Sequence, residues 1–97
     1  MPIVAVFEFP GEDIAKYHQV FEVGGPPILE QPERLSHVCY RHDGGGFTVI
    51  DVWNDEASFA AFGEIVGPAT ARAGLDAKPQ VYPVAGTVSQ DGVRSTY

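Results

Sequence analysis

Apolar positions along the chain switch between a period of two and a period near 3.6, and the switches divide it into elements. Residues 3 to 9 (Ile-Val-Ala-Val-Phe-Glu-Phe) are almost all β-branched or aromatic, a run of the length of a buried central strand. Pro10-Gly11 ends it. From Glu12 to Val23 the spacing turns helical: Ile14, Tyr17 and Phe21, with Val20 beside them, make one stripe, and Glu12 and Asp13 suit the first turn. Gly24-Gly25-Pro26-Pro27 stops this helix. Residues 24 to 34 then predict a long connection, a length used for lids, binding loops or plain crossovers. Alternation by twos returns at His37 to His42 and at Phe47 to Trp53, joined by the hairpin signal Asp43-Gly44-Gly45-Gly46. Asn54 or Asp55 can cap a second helix, with Phe59, Phe62, Val66, Ala69 and Ala73 as its buried stripe. Gly67-Pro68 predicts a kink or break in it, and Gly74 its stop. Residues 79 to 88 read as a fourth strand, placed at an edge or bulged because Pro83 cannot donate to a ladder. Residues 89 to 97 are polar and predict a loose tail.

The order β-α-β-β-α-β predicts one α+β domain over residues 1 to 97. It is the ferredoxin-like arrangement, a four-stranded antiparallel sheet with both helices on one face. Period two splits the hairpin into Ser36, Val38, Tyr40, Thr48, Ile50 and Val52 on one side. On the other stand Leu35, His37, Cys39, Arg41, Phe47, Val49, Asp51 and Trp53. The first side is conventionally apolar; the second mixes large apolar groups with ionisable ones. The face left uncovered by the helices is expected to include Val49, Trp53, Val4 and Val6. An area that apolar is too large for an isolated copy, so a two-fold homodimer packing sheet on sheet is expected.

Charge narrows the partners. The net charge is −7, and the six Lys and Arg are scattered, so no basic stripe exists to neutralise phosphates or an anionic membrane surface. No apolar run approaches the roughly 20 residues of a membrane span. The N-terminal residues lack the basic and long apolar segments of a signal peptide. The single cysteine, Cys39, excludes an internal disulfide and a multi-cysteine metal site and fits a reducing compartment, so a cytoplasmic location is expected.

His37 and Asp51 are the leading candidates for chemistry. With an even hairpin register they share a face and oppose each other directly or diagonally. A carboxylate beside an imidazole holds one tautomer, the arrangement a general base needs. Trp53, next along that face, could stack a planar phenolic substrate, whose anion could react with O2 without a cofactor. The same pair could instead be structural, or Asp51 could bond backbone across a dimer. Tyr40, Arg41 and Cys39 are further candidates for substrate contact. Cys39 has Arg41 and His37 two residues away on either side, but a buried inert thiol is the alternative. His18 is expected to be exposed and His42 solvated, and three histidines without a carboxylate cluster form no metal motif.

The run HVCYRHDGGGFTVIDVWNDEASFAAF, with Tyr17, Gly67-Pro68-Ala69 and VYPV (Val81 to Val84), resembles the dimeric α/β-barrel superfamily. It looks most like the small antibiotic-biosynthesis-monooxygenase-like proteins. The most specific part is the glycine turn followed by Val49-Ile50-Asp51-Val52-Trp53 and Phe59. The resemblance implies a barrel formed by two copies. Relatives in that superfamily include cofactor-independent oxygenases of phenolic substrates. With the His37, Asp51 and Trp53 set, a cofactor-independent, monooxygenase-like activity on an aromatic small molecule is expected, with His37 and Asp51 as catalytic residues. The ordered Asn-Trp-His set of haem-degrading relatives has no match, so haem chemistry is not implied. A non-enzymatic dimer that binds a ligand or partner is the alternative from another class. Met1-Pro2-Ile3-Val4 is also similar to the start of the N-terminal-proline tautomerases, although the pattern from Asp51 to Phe62 is not.

Overall fold

Two central strands, β1 (Ile3–Pro10) and β3 (Gly46–Trp53), pair antiparallel from Ile3 opposite Trp53 to Pro10 opposite Gly46. The computed structural model describes residues 1 to 95. β2 (Arg34–Arg41) flanks β3 and β4 (Gln80–Pro83) flanks β1, giving the order β2-β3-β1-β4. The helices are α1 (Ile14–Gly24), a single short turn α2 (Pro26–Leu29) inside the expected connection, and α3 (Glu56–Arg72). This is the ferredoxin-like α+β fold. β4 is an edge strand with Pro83 at its end, where a missing donor does no harm.

Local chemistry explains the boundaries. Asp13 caps α1 by accepting from Ala15 N at 2.9 Å, and Asp55 caps α3 by accepting from Ser58 N at 2.7 Å. Gly25, at φ 65°, turns the chain out of α1, and Pro26-Pro27 opens α2 where helices tolerate proline. Of the kink or break expected at Gly67-Pro68, the break does not occur; α3 runs through Pro68. Pro68 and Glu64, whose carbonyl loses a donor, both lie on the solvent side, so water can satisfy the orphan acceptor. α3 ends in a Schellman motif, Leu75 N to Thr70 O and Gly74 N to Ala71 O, with Gly74 at φ 77°. Of the expected tail, residues 89 to 95 run as turns tied by Ser89 and Asp91. Residues 96 and 97 lie outside the described residues.

The helices cover the opposite face from the one expected. Trp53 and Val49 were expected on the bare face, but both are buried beneath the helices, together with Ile3, Ala5, Phe9 and Phe47. Directly opposed residues share a face, and Ile3 opposes Trp53 while Val4 opposes Val52, so Val4 cannot sit with Trp53. The helices take the side with the larger aromatic area: Trp53 packs on Phe62 with ring centroids 4.9 Å apart, and Phe9 on Phe47 at 4.9 Å. Each such ring contributes about 1.5–3 kcal/mol of burial. The face left bare carries Val4, Val6, Ile50, Val52, Val38, Tyr40 and Tyr82, the last three 55%, 49% and 49% exposed.

Candidate active site

β2 and β3 present His37 and Asp51 as direct cross-strand partners under the helices. Asp51 is buried, with fully buried Ala5 opposite it on β1, and its Oδ1 lies 2.5 Å from His37 Nδ1. A carboxylate only accepts, so Nδ1 carries the proton and donates it to Asp51. In a neutral ring of that tautomer the other nitrogen, Nε2, is an acceptor. Tyr17, from α1, has its hydroxyl 2.7 Å from that Nε2. The result is a chain of three groups, Tyr17 to His37 to Asp51, drawn from one helix and two strands. Phe21 packs edge-on against the imidazole and Phe47 edge-on against Tyr17, at 5.9 and 5.8 Å, which fixes both rings.

Burial pushes the Tyr17 hydroxyl above its usual value, reinforced by Cys39 and Asp51 and opposed by the Arg34 cation. Tyr17 is therefore a neutral donor at physiological pH. Burial also raises the Cys39 thiol, which disfavours the thiolate a nucleophile requires.

These groups line a largely apolar cavity between sheet and helices, of about 70 Å³ and partly open to solvent. Tyr17, Phe21, Ile28, Arg34, His37 and Asp51 contribute to its wall. A cavity near 150 Å³ is known to admit benzene, so this one holds part of a single ring before any side chain moves, and no fused ring system.

The other candidates are distributed differently. Trp53 sits beneath Phe59, Phe62 and Arg34, with its Nε1–H unpartnered among the described residues, and the cavity wall does not include it. Tyr40 lies on the bare face, away from His37. Arg41 is exposed at the end of the hairpin beside a shallow depression formed with Glu12, Asp13 and the glycine turn. Cys39 shares the face of His37 and is half-buried. His18 is exposed, whereas His42, expected to be solvated, is half-buried with its Nε2 2.6 Å from Thr48 Oγ1. Among the described residues no group of three or more His, Cys, Asp and Glu converges on a metal-sized point. Pro2 accepts from Val84 N at 3.0 Å and is not part of the cavity wall.

Two contributors were not singled out as site residues from sequence. Tyr17 was visible as a member of the apolar stripe and of the family resemblance, not as a site residue; a hydroxyl within such a stripe is the signal that could have found it. Arg34 enters because β2 is bulged between Arg34 and Ser36, which turns Arg34 onto the helix-covered face opposite Trp53 and leaves Leu35 outside.

No protein-family model matches the chain, and no curated protein matches it in sequence. Solved structures do match over nearly the whole length. SnoaB, a cofactor-independent oxygenase from Streptomyces nogalater, is 20% identical with a TM-score of 0.66, covering 92% of this chain and 98% of that one. Rv0793 from Mycobacterium tuberculosis is 12% identical with a TM-score of 0.71, covering 92% and 100%. The monooxygenase ActVA-Orf6 of Streptomyces coelicolor, solved with the ligand nanaomycin D, is 25% identical with a TM-score of 0.59, covering 90% of each chain. Identities this low carry the fold rather than the reaction. The superfamily that the hairpin motif resembles is the one whose fold this chain adopts, that of the antibiotic-biosynthesis-monooxygenase-like proteins.

Proposed function

We propose that the protein is a cofactor-independent, monooxygenase-like enzyme acting on a small phenolic substrate, with Tyr17, His37 and Asp51 as its proton-accepting chain. The observation that carries this reading is the continuous hydrogen-bonded line from Asp51 through His37 to a tyrosine hydroxyl on the wall of an apolar cavity. Tyr17 takes the substrate's phenolic proton as it passes its own to His37 Nε2, and the imidazolium formed is paired with the Asp51 carboxylate. The dry aromatic wall leaves the phenolate poorly solvated and electron-rich. For a hydroquinone, a ring carbon adds O2 and loses its hydrogen as a proton. The O–O bond then breaks as water leaves, and a hydroxyquinone remains. The substrate supplies all the electrons, and the proton held on His37 returns to the departing oxygen.

The bare sheet face completes the proposal. Val4, Val6, Ile50 and Val52 form a continuous apolar strip across the two central strands, flanked by Val38, Tyr40 and Tyr82. A second copy of the chain covers such a strip by two-fold sheet-on-sheet packing. This would leave the cavity, on the other face, to each protomer.

Oxygen uptake with a panel of single-ring hydroquinones tests the reaction, comparing wild type with His37→Ala and Tyr17→Phe. Wild-type uptake with one atom of isotopically labelled dioxygen in the product, lost in both variants, is expected. Equal rates in all three proteins would remove this chain from the mechanism. Thermal stabilisation by a phenol without any uptake would make the protein a binder instead.

A further inference from the structure

Arg34 is the fixed positive charge on the cavity wall in a chain of net charge −7, and among the described residues no carboxylate pairs with it. Its guanidinium lies over the rings of Trp53 and Phe62, at 5.8 and 5.5 Å from their centroids, within cation–π range of both. One N–H is used, to Leu29 O at 3.1 Å. The remaining donors of the fork have no acceptor among the described residues, and the Nε1–H of the underlying Trp53 has none either. Of the two, only the Arg34 fork reaches the cavity wall. The β-bulge that turns Arg34 inward is a specific local distortion, a device that re-aims a side chain at a site.

The proton-accepting chain stands at a defined distance from this cation. Arg34 opposes Trp53 and His37 opposes Asp51, two residues apart on the same face of β3, hence about 6.6 Å along the strand. This is a backbone separation, and it puts the cation and the imidazole side by side on one wall of the cavity. Because the cavity is small and partly open, a single-ring ligand with a charged end would place its ring inside and that end at the mouth, beside Arg34.

We propose that Arg34 determines specificity and that the substrate is a single-ring phenolic acid, its carboxylate held by the Arg34 fork and its hydroxyl directed to Tyr17 and His37. A planar guanidinium donates two parallel N–H bonds to a carboxylate, which a lysine ammonium does not reproduce. The assignment of the hydroxyl end rests on the proposed proton-accepting chain; the assignment of the carboxylate end does not.

Equilibrium binding followed through the fluorescence of Trp53, the single tryptophan, separates the two. The probes are 4-hydroxybenzoate and its methyl ester, which differ in charge and little in shape. Wild type is expected to bind the acid at least about tenfold more tightly than the ester. Arg34→Gln is expected to abolish that preference, Arg34→Lys to restore part of it, and Tyr17→Phe to retain it. Circular dichroism and the urea midpoint of each variant show whether it is folded. If Arg34→Gln does not fold, the preference is read from Arg34→Lys against wild type, where an unchanged ratio counts against the fork. Equal affinity for acid and ester in wild type, a preference that survives Arg34→Gln, or no binding of either probe would overturn the proposal. Acid-selective binding without oxygen uptake would leave Arg34 in its role and defeat only the enzymatic reading.

Discussion

Oδ1 of Asp51 lies 2.5 Å from Nδ1 of His37, its directly opposed neighbour across the β2–β3 ladder. This contact selects the tautomer that leaves Nε2 open to the Tyr17 hydroxyl. Asp51→Asn keeps the shape but removes the charge. A side-chain amide can donate to Nδ1, which would place the ring proton on Nε2 and turn the acceptor of Tyr17 into a donor. Oxygen uptake with the best hydroquinone is expected to fall by roughly a hundredfold to ten-thousandfold, with the fold intact by circular dichroism. Uptake within about twofold of wild type would show that the carboxylate has no part in the reaction.

Tyr17 provides a pH signature. Burial raises its hydroxyl above the ordinary value of 10.0, so the neutral form is favoured in the folded chain. The stability this contributes is complete below the ordinary value and is lost as pH rises through the higher folded value. Cys39, raised by burial from 9.0, has the same sign and is removed by working in a Cys39→Ala background. In that background the melting temperature is expected to drop more steeply above about pH 10 than in the Tyr17→Phe variant. Parallel curves would show that the hydroxyl titrates as it does in the unfolded chain.

Gly46 closes the hairpin at φ 98°, where a Cβ would stand 2.6 Å from Gly11 N and 2.8 Å from Phe9 O. Both are backbone atoms of the neighbouring strand end and cannot swing away. Gly44, also at positive φ, has open space around it. Gly46→Ala is therefore expected to destabilise by about 3 kcal/mol or more in urea titration, and Gly44→Ala by about 1 kcal/mol. Equal losses would mean that the contact is relieved by a shift of the turn.

Ile50 lies at the centre of the bare face, opposite Val6 on one side and Val38 on the other. Sedimentation or light scattering of wild type is expected to give twice the 10.5 kDa chain mass, and Ile50→Lys the single mass. A wild-type monomer, or a dimer indifferent to Ile50→Lys, would show that this face is not the contact.

How much of this was legible beforehand differs from element to element. The strands, the glycine turn and the shared face of His37 and Asp51 follow from alternation, because a strand's side chains change face at every residue whatever surrounds it. The cap of α3 at Asp55 and its end at Gly74 follow from local signals, whereas α1 was expected from Glu12 and begins after Asp13, which caps it instead of lying in its first turn. The short turn at Pro26–Leu29 and the survival of α3 across Pro68 did not follow, since packing and solvent exposure override a breaker. The site was half visible: His37 and Asp51 were paired correctly, while Tyr17 stood twenty residues away with nothing local to connect them.

By itself, the order and period of the residues determined which elements form, that the sheet is antiparallel, and which side chains lie together within one hairpin. These are short-range consequences of backbone geometry. Only the tertiary structure decided which face the helices cover, that a bulge turns Arg34 inward, that Tyr17 reaches His37, and that the space between them is about 70 Å³. Each of those depends on how much aromatic area the packed layers bury and where the backbone yields, quantities that exist only once distant segments meet.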